Sequence, residues 1–182
     1  IWKKLEFDVA LKIVSPDLLH KSVIGGVKVK LNSEKKIHNG FNEIIQNAKN
    51  SFPNADIRGV LITPMANPGI EVIVGTKIDD QFGPIIMYGL GGIMVEILKD
   101  VVFRVLPITR NGAKKMIEET KSFPILNGVR GTDAYDKKAL INLLLLCSEL
   151  VEAYPEIMEM DLNPVIIHKK GISLVDARIL LK

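Results

Sequence analysis

The chain has 182 residues, enough for one compact domain or two small lobes, and at 47% hydrophobic and 25% charged it is not disordered. Its formal charge of +3 is the difference between 24 Lys and Arg and 21 Asp and Glu, all scattered, so no basic stripe marks a nucleic-acid partner, and aromatic residues at 5% supply no stacking platform. One cysteine, Cys147, excludes an internal disulfide and suits a reducing cytoplasm, while the absence of a signal peptide and of any apolar run near ~20 residues argues against secretion and membrane spans.

FDVALKIV (7–14) and VKVKL (27–31) read as strands, the second alternating Val27, Val29 and Leu31 with Lys28 and Lys30. From Ser33, a suitable N-cap, to about Asn50 the apolar residues Ile37, Phe41, Ile44, Ile45 and Ala48 recur at helical spacing. IRGVLIT (57–63) and IEVIVGT (70–76) read as strands on either side of the irregular PMANPG, the expected boundary between a small lobe and a larger one. PIIMYG (84–89) and VVFRVLP (101–107) are further strands. Thr109 caps a helix expected to reach Thr120, and Asp136 caps a longer one with the stripe Ala139, Leu140, Leu143, Leu144, Cys147, Leu150 and Val151. Cys147 on that stripe reads as a small buried residue. IMEMDLNPVIIH and ISLVDARILL flank the turn KKG as a β-hairpin. Strands and helices mix without strict βαβ alternation, which predicts an α+β fold with antiparallel pairing. The first residue is Ile1, and a truncated or disordered start, or a domain cut from a longer protein, is expected.

Several residues sit oddly in these elements. Lys12 lies within an apolar strand, either as a solvent-facing lysine on an edge or as a fixed cation for a phosphate. The loop SPDLLHKSVIGG carries His20 and closes on Gly25 and Gly26, either as a hairpin turn or as a glycine pair whose N–H groups approach an anion. His20 is either an exposed imidazole or a nucleophile toward phosphorus. If the last hairpin turns at Lys170-Gly171, Asn163 faces Arg178 and Val165 faces Asp176. Asp161, Asn163 and Asp176 then share one face, with Asn163 and Asp176 diagonal neighbours ~7–8 Å apart. Their oxygens suit Mg²⁺, with phosphates and water completing the shell; an ion pair of Asp176 with Arg178 is the alternative. Glu71 opens its strand as a carboxylate for ribose hydroxyls or as a solvated strand end. Gly89, Gly91, Gly92, Arg104 and Arg130 are weaker candidates for anion contacts.

In this order, ALKIVSPDLLHKSVIGGVKV, GVLITPM, GIEVIVGTKIDDQFGPIIMYGLGGIMVEILKDVVFRVLP, LNGVRG, EMDLNPV and VDARI resemble the ATP-grasp part of NDP-forming acyl-CoA synthetases. The match is best to the β subunit of ADP-forming acetate–CoA ligase and more distant to that of succinyl-CoA synthetase. The resemblance implies two α+β lobes, 1–64 and 65–182, with a nucleotide cleft between them. It implies ATP or ADP and Mg²⁺ as cofactors, and an α-type CoA-binding subunit or fused domain as partner. Lys12 then serves the nucleotide phosphates with Gly25 and Gly26, Thr63 to Met65 the adenine, and Glu71 the ribose. Asn163 and Asp176 match the Mg²⁺ ligands, Asp161 the acidic residue beside a phosphohistidine, and His20 the histidine that relays a phosphoryl group to ADP. The chain departs from the pattern at Val23, where the family usually has an acidic residue, and at Thr63-Pro64, which leaves adenine recognition to the backbone. Similar domains fused to acetyltransferases, and carboxylate–amine ligases with the same grasp, are the alternative classes.

Overall fold

The computed structural model describes residues 7–18, 21–91, 100–128 and 133–182. It divides into two compact units, Ile1–Met65 and Ala66–Lys182. Every strand pairing in both is antiparallel, the α+β arrangement expected from the mixed element order.

In the first unit, β1 (Val9–Val14) is the middle strand of a three-stranded sheet, between β2 (Val27–Leu31) and β3 (Gly59–Pro64). Leu11 and Ile13 point to helix α1 (Glu34–Ser51) and bury with Leu18, Ile44 and Ala48. The helix starts where Ser33 accepts a hydrogen bond from the Lys36 N–H at 3.3 Å, which satisfies one of its orphan donors. The alternation expected for β2 does not hold along its length. Val9 pairs with Leu31 but Leu11 pairs with Lys28, so Val29 and Lys30 together oppose Ala10. Lys30 takes up the extra residue at φ 56°. This bulge places Lys28 on the helix side, where it pairs with Glu43.

The second unit is a six-stranded sheet in the order β6–β5–β4–β7–β8, with β9 also paired to β7. Its strands are β4 (Ile70–Asp79), β5 (Gly83–Leu90), β6 (Val101–Val105), β7 (Ile157–Ile167), β8 (Ile172–Leu174) and β9 (Ala177–Leu181). Helices α2 (Arg110–Glu118), α3 (Phe123–Leu126) and α4 (Lys137–Ala153) supply Met116, Ile117, Leu126, Leu140 and Leu144 to a core shared with Val74, Ile86, Met160 and Leu162. Each such side chain contributes roughly 1.5–3 kcal/mol by burial. Thr109 and Asp136 cap α2 and α4 as expected, accepting from the N–H groups of Gly112 and Ala139. The other carboxylate oxygen of Asp136 accepts from Gly171 N–H at 2.8 Å, tying the hairpin turn to the helix. The Gly171 and Ala139 donors hold the Asp136 carboxyl below the usual range. Cys147 is buried as expected, and burial pushes its thiol up to about 12. The four-residue α3 was not expected; one turn is too short to show periodicity.

One core position is not satisfied. Thr76 on β4 is 5% exposed, between Ile86 and Met160, and its hydroxyl has no hydrogen-bond partner among the described residues. Burying an unpaired hydroxyl is costly. Thr76→Val is therefore expected to stabilise the chain by about 1 kcal/mol, raising the melting temperature by roughly 2–4 °C in a calorimetric scan. A lower melting temperature would show that the hydroxyl has a partner in solution.

Candidate functional site

Lys12 is not on an edge. It occupies the middle strand of its sheet, flanked in register by Val27 of β2 and Leu61 of β3, on the face away from α1, and it is half-buried. Both neighbouring strands hold its backbone, so the ammonium is carried on a stiff base. Thr63 stands beside Ala10 on the adjacent strand, and the Met65 N–H donates to Asp8 C=O at 2.9 Å, continuing the pairing past the strand end. A hollow of about 360 Å³ lies along β3, lined by Phe7, Val9 and the run Val60 to Pro64.

The glycine pair is placed differently from the expectation of an anion cradle. Gly25 N–H donates to Ser22 C=O at 3.1 Å and Gly26 N–H to Lys21 C=O at 2.8 Å. Both donors are used inside the loop, so Gly25 and Gly26 shape the turn rather than offer their amides to a phosphate. Gly25 has φ +67°, and a Cβ on Gly26 would lie 2.7 Å from Ile13 and 2.9 Å from Lys21 O; close packing requires glycine here. Val23 at the loop tip is 85% exposed. His20, Gly92 and Arg130 lie outside the described residues.

The last hairpin has a different register from the expected one. Ile167 pairs with Ile172, Val165 with Leu174, Leu162 with Ala177 and Asp161 with Arg178. The turn is therefore centred one residue earlier, with Gly171 at φ +76° closing it. Asn163 then stands directly opposite Asp176 rather than diagonal to it. Asn163 N–H donates to Asp176 C=O and Val175 N–H to Pro164 C=O, each at 3.1 Å. Directly opposed residues hold their Cβ atoms ~4.5–5.5 Å apart, which brings the amide and carboxylate oxygens within reach of one small cation.

The backbone singles out this pair. On one side of β7, Val72 pairs with Val165 and Val74 with Leu162, so Asn163 and Pro164 together oppose Ile73 in a bulge. On the other side, β8 ends at Leu174 and β9 begins at Ala177. Pro164 has no N–H for the ladder and is tolerated inside a sheet at such a bulge; bulges re-aim side chains. The sequence carried this signal as a proline within an apolar strand.

Asp161 shares the pair's face, opposite Gly75 and Arg178. Arg178 reaches Glu159, Nη1 to Oε1 at 3.7 Å. Glu71 sits near the start of β4, exposed, and its C=O accepts from Gly91 N–H at 2.7 Å. A Cβ on Gly91 would come within 2.8 Å of the Glu71 backbone, so Gly91 serves close packing. Arg104 pairs with Glu119 and donates to Phe103 C=O, a structural role rather than an anion contact. Among the described residues no cluster of three or more His, Cys, Asp or Glu could hold a metal. Asn163 and Asp176, one amide and one carboxylate, are the pair expected to ligate a cation, and they stand opposite each other. Two hard oxygens are the kind of donor Mg²⁺ takes, since it rarely uses a cage built of protein alone.

The profile of the ATP-grasp domain family matches residues 1–181. The chain is 49% identical over 183 residues to the β subunit of acetate–CoA ligase (ADP-forming) II of Pyrococcus furiosus, covering 99% of this chain and 78% of that protein. It is 47% identical over 181 residues to acetate–CoA ligase (ADP-forming) I of Archaeoglobus fulgidus, covering 100% of this chain but only 26% of that protein. Among solved structures, the dinucleotide-forming acetyl-coenzyme A synthetase 1 of Ca. Korarchaeum cryptofilum, in complex with coenzyme A and Ca-AMPCP, superposes with a TM-score of 0.92 at 47% identity, over 99% of this chain and 79% of that one.

Proposed function

The chain belongs to the ATP-grasp domain family, and on that premise we propose that it is the nucleotide-binding, phosphoryl-relay part of an ADP-forming acyl-CoA ligase. The reaction is acyl-CoA + ADP + phosphate ⇌ acid + CoA + ATP. It runs in the cytoplasm and requires an α-type CoA-binding part, as a separate chain or fused. The observation that carries this reading is the Asn163–Asp176 pair, an amide and a carboxylate on residues set opposite each other at the bulge where β7 meets β4.

Each residue has a chemical task. Lys12, on its central strand, places a fixed positive charge on the nucleotide phosphates. Thr63 and Met65 present backbone groups to the adenine, and Glu71 accepts from the ribose hydroxyls. Asn163 and Asp176 hold Mg²⁺, which when bound neutralises charge on the phosphate oxygens. His20 takes the phosphoryl group from a histidine of the CoA-binding part and delivers it to ADP; Asp161 is the acidic residue that supports the charge of the phosphohistidine. Gly25 and Gly26 serve by shaping the loop that follows His20. The Ca-AMPCP and coenzyme A in the Korarchaeum complex support a nucleotide and CoA chemistry for the parent protein.

Calorimetry of the chain with Mg-ADP tests the binding half of this reading. Saturable binding is expected. Lys12→Ala is expected to weaken it by about 10- to 100-fold, the loss of one charge-assisted hydrogen bond. Absence of binding by the unmodified chain, or equal affinity after Lys12→Ala, would overturn the assignment it addresses.

A further inference from the structure

The last hairpin has two registers that bury the same residues. If β7 and β8 closed on the two-residue turn Lys170-Gly171, Val165 would face Asp176 and Asn163 would face Arg178. In the structure Val165 faces Leu174, and four residues, His168 to Gly171, lie between the paired Ile167 and Ile172. Sliding one strand by two residues converts either pairing into the other, and such a slide keeps every side chain on its own face. Apolar patterning therefore cannot choose between them. Turn length would favour the first, because two-residue loops are the commonest hairpin connection. Something outside the two strands has to select the second.

The mouth of the turn shows what does. His168 N–H donates to Gly171 C=O at 3.0 Å, but the reciprocal groups, His168 C=O and Gly171 N–H, are taken by a residue from elsewhere. Asp136 N–H donates to His168 C=O at 2.9 Å, and Asp136 Oδ2 accepts from Gly171 N–H at 2.8 Å. One residue thus replaces both halves of the bond that would close the turn. Asp136 Oδ1 accepts from Ala139 N–H at 3.0 Å as the N-cap of α4, and Leu140, Leu144 and Cys147 fix α4 in the core. Its neighbour Tyr135 adds to the hold. Tyr135 N–H donates to Leu126 C=O at 3.0 Å, and the Lys169 ammonium lies 4.5 Å from the centre of the Tyr135 ring. In the tighter register His168 would stand in the ladder opposite Ser173 and Gly171 within the turn. The two groups would no longer face each other, and this two-point match would be lost.

We propose that Asp136 is a positioning residue for the cation pair: by closing the mouth of the hairpin it selects the register that sets Asn163 directly opposite Asp176. This rests on the reading of that pair as Mg²⁺ ligands. In the competing register the two residues are diagonal, ~7–8 Å apart rather than ~4.5–5.5 Å. Two oxygens on one Mg²⁺ lie no more than ~4 Å apart, so the opposed spacing suits a shared ion better. Asp136 acts through backbone geometry alone, as residues beyond the ligands orient them in metal sites.

The test is Asp136→Ser, with Asp136→Asn beside it, in the full chain, and in the chain with its CoA-binding part where rates are measured. Serine still caps a helix but has one short acceptor, so α4 keeps its cap and Gly171 loses its partner. Asparagine gives one oxygen to the cap and turns only an N–H group to Gly171; it carries the test where the serine variant does not fold. Thr109→Ala, which removes the cap of α2, is the control for lost helix stability. Three quantities are measured: melting temperature, cross-strand proton contacts by nuclear magnetic resonance, and the Mg²⁺ concentration for half-maximal rate. In both Asp136 variants, contacts of Val165 with Asp176 should appear beside those with Leu174, and the Mg²⁺ requirement should rise roughly tenfold or more. Affinity for metal-free ADP should stay within about twofold. Thr109→Ala should lower the melting temperature and leave register and Mg²⁺ requirement at parental values. Parental contacts and a parental Mg²⁺ requirement in both Asp136 variants overturn the inference and leave Asp136 as a helix cap. An equal Mg²⁺ shift in Thr109→Ala also overturns it, as does a slipped register with a parental requirement when Asp176→Asn shifts that requirement. An unmoved requirement in Asp176→Asn itself overturns the metal reading of the pair instead, while the proton contacts still decide the register.

Discussion

Replacing His20 with Ala is expected to abolish acyl-CoA turnover by the chain and its CoA-binding part, by at least about a thousandfold, the scale on which loss of a covalent nucleophile acts. In the proposed relay a phosphoryl group resides on this imidazole between two sites, so no neighbouring residue can supply the missing bond. Acid-labile, alkali-stable phosphate should appear on the parent chain with ATP and Mg²⁺ and be absent from His20→Ala. Calorimetric binding of Mg-ADP should persist, because Lys12, Asn163 and Asp176 are untouched. Full turnover by His20→Ala would sink the relay. Nucleotide binding with no label on His20 beside a competent partner would instead favour a regulatory domain of the kind fused to acetyltransferases. ADP release that depends on an added amine would point to a carboxylate–amine ligase.

Much of this arrangement was legible in the residues, for physical reasons that differ from place to place. The helices beginning after Ser33, Thr109 and Asp136 declared themselves because a capping side chain precedes an apolar stripe, and each cap bond is present. Leu11 and Ile13 lie on the face of β1 opposite Lys12 by period two, and that face meets the helix. What the sequence concealed was register. Period two gives the face but not the partner, and a turn moved by one residue leaves every face unchanged while converting Asn163 and Asp176 from diagonal to opposed. The bulges at Lys30 and at Asn163–Pro164 hide for a related reason: one extra residue reverses the alternation beyond it. The phosphate role assigned to Gly25 and Gly26 failed because a glycine pair looks alike whether its N–H groups close a turn or face an anion.

Asp176 should be the most damaging position on the sheet. Its side chain can be changed without changing the register, because the bonds that fix the junction, Asn163 N–H to Asp176 C=O and Val175 N–H to Pro164 C=O, are made by backbone atoms. Asp176→Asn keeps the shape and removes the charge. Turnover at saturating nucleotide should fall by about 100- to 1000-fold, the cost of losing one electrostatic stabiliser of a transferring group, with little change in melting temperature. The Mg²⁺ concentration for half-maximal rate should rise, while binding of metal-free ADP stays at the parental level or improves as a negative charge leaves the phosphate region. Asn163→Ala should reproduce the shift in Mg²⁺ dependence more weakly, since an amide oxygen gives less to a hard cation than a carboxylate. Combining the two should cost less than the sum of the single effects, because both ligands serve one ion. Additive losses with an unchanged Mg²⁺ dependence would separate the two residues and assign Asp176 to an ion pair within the sheet.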